Sequence, residues 1–249
     1  MKVTAYKTHK VNVGEDIFKI LDEYLPPLQE NSVVAIASKI IAFCQKDVIK
    51  REPGMEKRDL IEQEADYYLG DEYPRPFGQS ISIKNYTLTA SAGIDESNGN
   101  GYFILWPKNL QKITNEIWEH LRKKNKIKNL GIIVTDSRVV PLRWGVIGIA
   151  LSWCGFEALK DYTGEPDIYG RIMMVEKTSL IDSLATAATV TTGEGAEQKP
   201  LAVIEDIPFV KFQDRPPTVE EIKHLQIALK DDLFEPLMSS VRWKKGEGK

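Results

Sequence analysis

Acidic and amide side chains are concentrated in a glycine-rich stretch near the middle of the chain. Residues 91–101 contain Asp95, Glu96, Asn98 and Asn100 together with three glycines. Glycine lets a backbone approach a ligand closely, and carboxylate and amide oxygens are the ligands that Mg²⁺ and Mn²⁺ prefer. The same residue types also form ordinary surface turns, so this segment alone predicts a metal site and a plain turn equally well.

A second carboxylate follows a run of β-branched residues at 131–134, which is predicted to be a buried strand. Thr135, Asp136 and Ser137 are expected at the carboxyl end of that strand, where open α/β sheets commonly place ligand-binding groups. These oxygens would complete the shell of a metal bound to phosphates. The alternative is that Asp136 only caps a turn. Glu194, between two glycines, is a third candidate donor and a weak one by itself.

Several familiar catalytic signatures are absent from the sequence. It has no P-loop, no dinucleotide-binding glycine fingerprint, no zinc-protease helix motif and no serine-hydrolase nucleophile turn. The histidines, His9, His120 and His224, are scattered, so a histidine base is not favoured. Any reaction would therefore depend on metal ions and electrostatics.

The bulk composition predicts a folded protein with no general affinity for polyanions. The 249 residues include 33 basic and 36 acidic ones, which gives a formal charge of -3, and 42% are hydrophobic. This charge excludes a bulk attraction to nucleic acid or anionic lipid, so neither is expected as a partner. The basic cluster at residues 122–128 is interpreted as the end of a helix, where cations favour the helix dipole.

Cysteine usage and the absence of long apolar segments predict a cytoplasmic protein. Cys44 and Cys154 lie among apolar neighbours without metal-site spacing, so free thiols in a reducing compartment are expected. The first residues lack the apolar core of a signal peptide. No segment approaches the roughly 20 apolar residues that span a bilayer.

Hydrophobic periodicity predicts alternating helices and strands, and hence an α+β (mixed α/β) fold. Helices are expected at 14–25, 57–69, 110–121 with Pro107 in the first turn, 179–190, and from Thr218 through Leu229. Strands are expected at 33–37, 81–89, 131–134 and 201–204. Residues 145–153 fit either a strand or a buried helix, and residues 161–171 are predicted to form a polar loop.

Taken in order, these pieces resemble the γ-glutamyl ligase family of coenzyme F420 biosynthesis, the coenzyme F420-0:L-glutamate ligases. The resemblance runs from about residue 11 to residue 204. It rests on residues 92–98, on Asp136 and Ser137 followed by Pro141, Arg143 and Gly145, on the loop ending in Arg171, and on the alanine-rich helix before Glu194. It implies a single domain over residues 1–249, two intertwined subdomains whose boundary the sequence does not locate, and a homodimer.

The resemblance also implies a site. Asp95 and Asp136 would bind one divalent cation, Mg²⁺ or Mn²⁺, while Ser137 and Glu194 would help to hold a second. Asn98 would contact a nucleotide, GTP or ATP. The same pocket would be lined by Val11, Ser38, Lys39, Gly193 and Gly195. Lys39, Arg143 and Arg171 are candidates to stabilise transferring oxygens or clamp carboxylates, and the alternative for each is a structural ion pair.

The implied reaction joins L-glutamate to an acidic coenzyme acceptor, similar to F420-0, through an acyl phosphate. Ala42 and Phe43 stand where the family often has a Ser-Lys pair, so a cationic phosphate contact is missing unless Lys46 replaces it. Arg138 and the two valines after it replace the usual Phe-Gly-Arg, which leaves a folate or another acidic acceptor open. A nucleotide-binding protein that has lost transfer activity is the alternative from another class.

Overall fold

Four β-sheets and seven α-helices make up the computed structural model, which describes all residues 1–249. The strands are β1 Lys2–Tyr6, β2 Ser32–Ala37, β3 Val48–Lys50, β4 Tyr67–Leu69, β5 Ile81–Lys84, β6 Thr87–Ala90, β7 Tyr102–Ile104, β8 Leu130–Val139, β9 Val146–Cys154, β10 Leu159–Asp161, β11 Lys177–Ser179, β12 Leu201–Glu205 and β13 Trp243–Lys245. The helices are α1 Ile17–Tyr24, α2 Ser38–Gln45, α3 Lys57–Glu64, α4 Leu110–Asn125, α5 Leu180–Thr192, α6 Val219–His224 and α7 Glu235–Met238. The mixed α+β class is thereby confirmed.

The largest sheet has the order β1-β12-β2-β8-β9, in which only β2 and β8 run parallel. Successive side chains of a strand point to opposite faces. Val34 and Ile36 therefore join the core made with α1, α2 and α4, whereas Val33 and Ala35 join the core made with α5. The main sheet is thus covered on both faces, which explains why β2 is an unbroken apolar run.

A smaller sheet, in the order β13-β4-β5-β6, lies beside the main one. The chain leaves the main sheet after α2, builds α3, the β3–β7 pair and the smaller sheet, and returns through α4. After β12 the chain goes back once more: Ile222 of α6 and Leu225, which follows that helix, pack against the main core, and β13 pairs with β4. The division into two intertwined subdomains stays a prediction.

Two predicted elements of the smaller sheet are wrong in extent. The helix expected at 57–69 ends at Glu64, because Ala65 is extended and Tyr67–Leu69 pairs as β4 with both β5 and β13. The single strand expected at 81–89 is a hairpin. Asn85 and Tyr86 have φ of 48° and 57°, which is the positive-φ geometry of a tight two-residue turn.

The strand β8 is longer than expected. It continues to Val139, so Asp136 lies within a strand rather than at its end. The parallel neighbour β2 stops at Ala37, opposite Thr135, so the next residues of β8 pair only with β9. Asp136 therefore still lies at the carboxyl edge of the parallel pair, where ligand sites are common.

The other predicted helices and strands are present, although the helix expected from residue 14 begins at Ile17 and two further helix boundaries differ. The ambiguous segment 145–153 forms most of β9, Val146–Cys154. Pro107 precedes the cap of α4, Asn109, instead of entering the first turn, and α6 ends at His224, so Leu229 lies outside it. The basic cluster does occupy the last turn of α4. None of the helices has the length and apolar character that a membrane crossing requires.

Candidate active site

A cavity of about 850 Å³ opens between the carboxyl edge of the β2–β8 pair and the loop that follows the smaller sheet. Segments that are distant in sequence line it, including residues 8–13, the start of α2 and the loop after α5. All the predicted metal- and nucleotide-binding residues belong to the lining: Val11, Ser38, Lys39, Asp95, Asn98, Asp136, Ser137, Gly193, Glu194 and Gly195. The structure brings these side chains and loops together, while their ligand roles stay predictions.

The start of α2 lines this cavity, and its first backbone N–H groups have no side-chain cap. The N-cap residue Ala37 has no side chain that accepts a hydrogen bond, so the first N–H groups, at Ser38 and Lys39, lack a side-chain partner. A helix N-terminus with free N–H groups favours anionic groups such as phosphate. Ala37, Ser38 and Lys39 all line the cavity, which gives it one electropositive edge.

Asp95 is held as a carboxylate by the residues around it. The ammonium of Lys39 lies 2.7 Å from its Oδ2, and the Ser97 hydroxyl donates to the same oxygen at 2.9 Å. The backbone N–H groups of Glu96 and Ser97 donate to Oδ1 at 2.6 and 2.7 Å. Burial opposes ionisation, but these partners outweigh it and keep the pKa of Asp95 below its usual value.

In Asp136 and Glu194, by contrast, burial outweighs the contacts that stabilise the carboxylate, so both pKa values are raised. Burial and, to a lesser extent, the charge of Asp95 raise the pKa of Asp136 to about 6, although hydrogen bonds from Ser137 and Trp106 and the charge of Lys39 act in the opposite direction. Burial and the charge of Asp95 also raise the pKa of Glu194, although the Ser137 hydroxyl donates to Glu194 Oε2 at 3.3 Å. Two carboxylates therefore lie in a cavity where the nearest cation, Lys39, is already paired with a third.

This excess of negative charge is what a divalent cation would neutralise, so the donor set fits the predicted ions. Carboxylate and hydroxyl oxygens are the hard ligands that Mg²⁺ and Mn²⁺ select. No three acidic, histidine or cysteine side chains converge closely enough to hold an ion by themselves. The residues therefore fit ions that are completed by phosphate oxygens and water, which is the usual arrangement for Mg²⁺.

Two loops close the cavity through direct contacts across it. The Asn98 side chain donates from Nδ2 to the Gly195 carbonyl at 2.9 Å, which joins the Asp95 loop to the loop after α5. The Gln198 side chain donates to the Thr8 carbonyl at 2.6 Å. The Asn98 side chain, which was predicted to contact the nucleotide, thus forms a hydrogen bond within the protein.

Arg143 and Arg171 are the predicted site residues that the structure does not bring to the cavity. Arg143 lies in the exposed turn between β8 and β9, and Arg171 lies in the exposed loop between β10 and β11. Neither side chain forms an ion pair. The alternative role considered for each arginine, that of a structural ion pair, therefore does not apply. Both arginines would reach a site only through movement of their loops or contact with another molecule.

Sequence reasoning missed Trp106, whose indole Nε1 donates to Oδ2 of Asp136. A tryptophan at the end of an apolar run is ordinarily a core residue, and Trp106 is only 5% exposed. The only sequence feature related to this contact is Gly93. Its φ is 73°, and the absence of a side chain there leaves room for the indole of Trp106. Its partner could not be identified without the tertiary structure.

Fold and site together define a mixed α+β protein with an acidic cavity at the edge of a mixed sheet. Comparison with known proteins then gives the particular family. The family described as F420-0:Gamma-glutamyl ligase matches residues 6–206, and the chain belongs to that family.

Curated relatives cover most of the chain. A protein of Methanococcus maripaludis named Coenzyme F420:L-glutamate ligase is 31% identical over 86% of this chain and 91% of its own length. Relatives with the same name from Haloarcula marismortui and Methanopyrus kandleri are 31% and 27% identical, over 80% of this chain and 84% and 83% of their own lengths.

Proposed function

We propose that this chain is a γ-glutamyl ligase that requires a divalent metal and a nucleoside triphosphate, and that adds L-glutamate to the carboxylate of an F420-0-like coenzyme. The observation that carries this proposal is the convergence of Asp95, Asp136 and Glu194 on a cavity large enough for a nucleotide. Membership of the F420-0:Gamma-glutamyl ligase family supports the reaction class.

The proposed reaction has two steps. A carboxylate oxygen of the acceptor attacks the γ-phosphorus, and the bond to the bridging oxygen breaks, which gives an acyl phosphate and a nucleoside diphosphate. The glutamate amine then attacks the acyl carbon, releases inorganic phosphate and loses a proton to form the amide. Bound Mg²⁺ or Mn²⁺ would neutralise phosphate charge. Asp95 and Asp136 would hold one ion, and Ser137 and Glu194 the second.

Residues of this chain would supply the remaining electrostatics. The backbone N–H groups at the start of α2, which have no side-chain cap, would face the phosphates, and Lys39 would exchange Asp95 for a phosphate oxygen. Arg143 and Arg171 lie outside the cavity, so neither would act in the reaction at the site of its own copy of the chain.

The test is an assay of the purified full chain with Mn²⁺ or Mg²⁺, GTP or ATP, L-glutamate and F420-0, in which phosphate release and product mass are measured together. We expect a mass increase of one glutamyl residue that needs both metal and nucleotide. Asp95→Asn should abolish both signals without unfolding the chain. Metal-dependent GTP binding without turnover of any acceptor would instead favour a nucleotide-binding protein that has lost transfer.

One observation supports the second candidate function, a nucleotide-binding protein that has lost transfer activity. Phe43, where a lysine is common in the family, is buried and packs edge-on against Tyr102 with ring centroids 6.4 Å apart. It supplies no charge to phosphate. The third possibility is the same chemistry with a folate as acceptor. Including a folate in the same assay tests it, because a glutamyl increment on the folate alone would identify a different acceptor.

We also propose a homodimer. Leu142 and Trp144 in the β8–β9 turn are 105% and 92% exposed, and Ile168 and Tyr169 in the β10–β11 loop are 91% and 90% exposed. Apolar side chains concentrated on projecting loops are typical of protein interfaces. Arg143 and Arg171 lie on these same two loops, so a second copy is the simplest means of bringing either arginine to an active site.

A further inference from the structure

The indole of Trp106 restrains a carboxylate of the proposed metal site. Trp106 follows β7 and is 5% exposed, and its Nε1 donates to Oδ2 of Asp136. The other oxygen of that carboxylate accepts from the Ser137 backbone N–H at 2.8 Å. Each oxygen of Asp136 therefore has one donor that fixes its direction, while its remaining lone pairs are available to a cation.

The same short segment also fixes Asp95. The backbone N–H of Asp95 donates to the Ile104 carbonyl at 3.0 Å, and the Ile104 N–H donates back to the Asp95 carbonyl at 2.8 Å. Ile104 and Trp106 are two residues apart. One stretch of chain thus holds Asp95 by its backbone and Asp136 by its carboxylate, and so sets the position of an acid in a loop relative to an acid on β8.

Gly93 makes this arrangement sterically possible. Its φ is 73°, and a Cβ at this position would overlap the indole of Trp106. Because Gly93 precedes Asp95 by two residues, the backbone that delivers Asp95 passes directly against the ring that restrains Asp136. The close approach is a feature of the site segment itself rather than of a distant core.

We propose that Trp106 is a positioning residue that fixes Asp136 relative to Asp95 for one shared divalent cation. This inference rests on the proposed metal site. An indole N–H is a neutral donor with no acceptor, so it orients the carboxylate without neutralising it and without competing for the ion. Groups that orient metal ligands in this way commonly change metal affinity by about 10- to 100-fold.

The test compares Trp106→Phe with Trp118→Phe in Mn²⁺ titrations of the full chain, followed by electron paramagnetic resonance. Trp118 is a matched control, since it is 3% exposed, donates its indole N–H to the Leu130 carbonyl at 2.7 Å, and packs against Gly155 as Trp106 packs against Gly93. We expect Trp106→Phe to weaken Mn²⁺ binding about 10- to 100-fold. Trp118→Phe should change the melting temperature by a similar amount but leave Mn²⁺ affinity within about twofold.

A measurement on the unmodified sequence covers the case in which Trp106→Phe does not fold. The five tryptophans give five indole N–H signals in a ¹H–¹⁵N spectrum, and added Mg²⁺ should shift one of them strongly while the Trp118 signal stays in place. Equal Mn²⁺ affinity in wild type and Trp106→Phe, or no indole shift with Mg²⁺ bound, would overturn the positioning role alone. A wild-type chain that binds no Mn²⁺, either alone or with GTP present, would overturn the proposed metal site and this inference together.

Discussion

At the scale of single residues, Lys39 forms a cluster of contacts with the Asp95 loop. Its ammonium reaches Asp95 Oδ2 at 2.7 Å, the Ser97 carbonyl at 2.9 Å and the Ser97 hydroxyl at 3.1 Å. These oxygens are the kind that a divalent cation would take. Lys39 and a metal therefore compete for Asp95 under the proposed function.

Replacing Lys39 should change metal and nucleotide binding in opposite directions. Lys39→Met removes the competing ammonium, so Mn²⁺ alone should bind roughly 1.5- to 5-fold more tightly, as expected for a partly exposed ion pair. GTP should bind at least about tenfold more weakly, because a charged donor to phosphate is lost. Calorimetric titrations with Mn²⁺ alone and with GTP measure the two effects.

Lys10→Met is the control for Lys39→Met, because Lys10 lines the same cavity but forms no ion pair. It removes the same charge without freeing Asp95. An equal gain in Mn²⁺ affinity in both variants would show that the overall electrostatic potential of the cavity, and not the Lys39–Asp95 ion pair, controls metal binding.

The raised pKa of Asp136 predicts a pH-dependent stability. Because the folded-state pKa of about 6 exceeds the usual 3.8, the contribution of Asp136 to stability is fully present at low pH and is lost as pH rises through about 6. In EDTA, Asp136→Asn should therefore gain stability relative to wild type between about pH 4 and pH 7, by on the order of 1 to 3 kcal/mol.

Urea unfolding of the two proteins at both pH values measures this difference. Asp95 and Lys39 face the Asp136 carboxyl and are present in both proteins, so their own effects largely cancel in the comparison. A difference between wild type and Asp136→Asn that does not vary with pH would mean that the carboxyl ionises normally in the folded state.

At the scale of elements, the contact between β9 and α5 decides where the loop carrying Glu194 begins. The Thr186 hydroxyl donates to the Gly148 carbonyl at 2.9 Å, so the helix lies directly on the strand. A Cβ at Gly148 would overlap the Ala185 carbonyl and the Thr189 hydroxyl. Thr189 itself lines the cavity, which connects the packing of this pair with the shape of the site.

Gly148→Ala should therefore push α5 away from the sheet and destabilise the protein by about 1 to 3 kcal/mol, as overpacking does. Val146→Ala on the same strand removes a side chain that is 42% exposed and should cost about 0.5 kcal/mol or less. Free energies of unfolding from urea titrations compare the two. Equal stability of Gly148→Ala and wild type would show that the helix and strand separate at little cost.

At the scale of the whole molecule, apolar loops project away from both sheets. Trp144 of the β8–β9 turn contacts Phe77, which precedes β5, with ring centroids 6.0 Å apart, although Phe77 is 83% exposed. This contact joins the main sheet to the smaller one at the surface. A second copy that covers the pair would remove a large apolar area from water.

Trp144→Glu and Leu142→Glu should therefore shift the protein from dimer to monomer, because a charge buried at the centre of an interface costs several kcal/mol. Val190→Glu is the control, since Val190 is 81% exposed but belongs to α5 rather than to either of these loops. Sedimentation velocity at micromolar concentration distinguishes the species. A monomeric wild type, or dimers in all three variants, would contradict the proposed interface.

The sequence by itself determined most elements and the chemical character of the site. Hydrophobic period reports which residues are buried, so β2, β12, α4 and α5 were found within a few residues of their bounds. The clustering of oxygen donors around Asp95, and the β-branched run before Asp136, indicated an acidic site before any contact was known. Local patterns suffice for these features because they depend on near neighbours in the chain.

Only the tertiary structure decided which of these residues meet. Periodicity gives the face of an element but not its partner, so it could not show that β4 pairs with β13, or that β8 continues past β2. The family resemblance placed Arg143 and Arg171 with the site residues, although their loops project into solvent. Trp106 had the pattern of a core residue, and only the approach of Gly93 and Ile104 to β8 shows that its indole donates to Asp136.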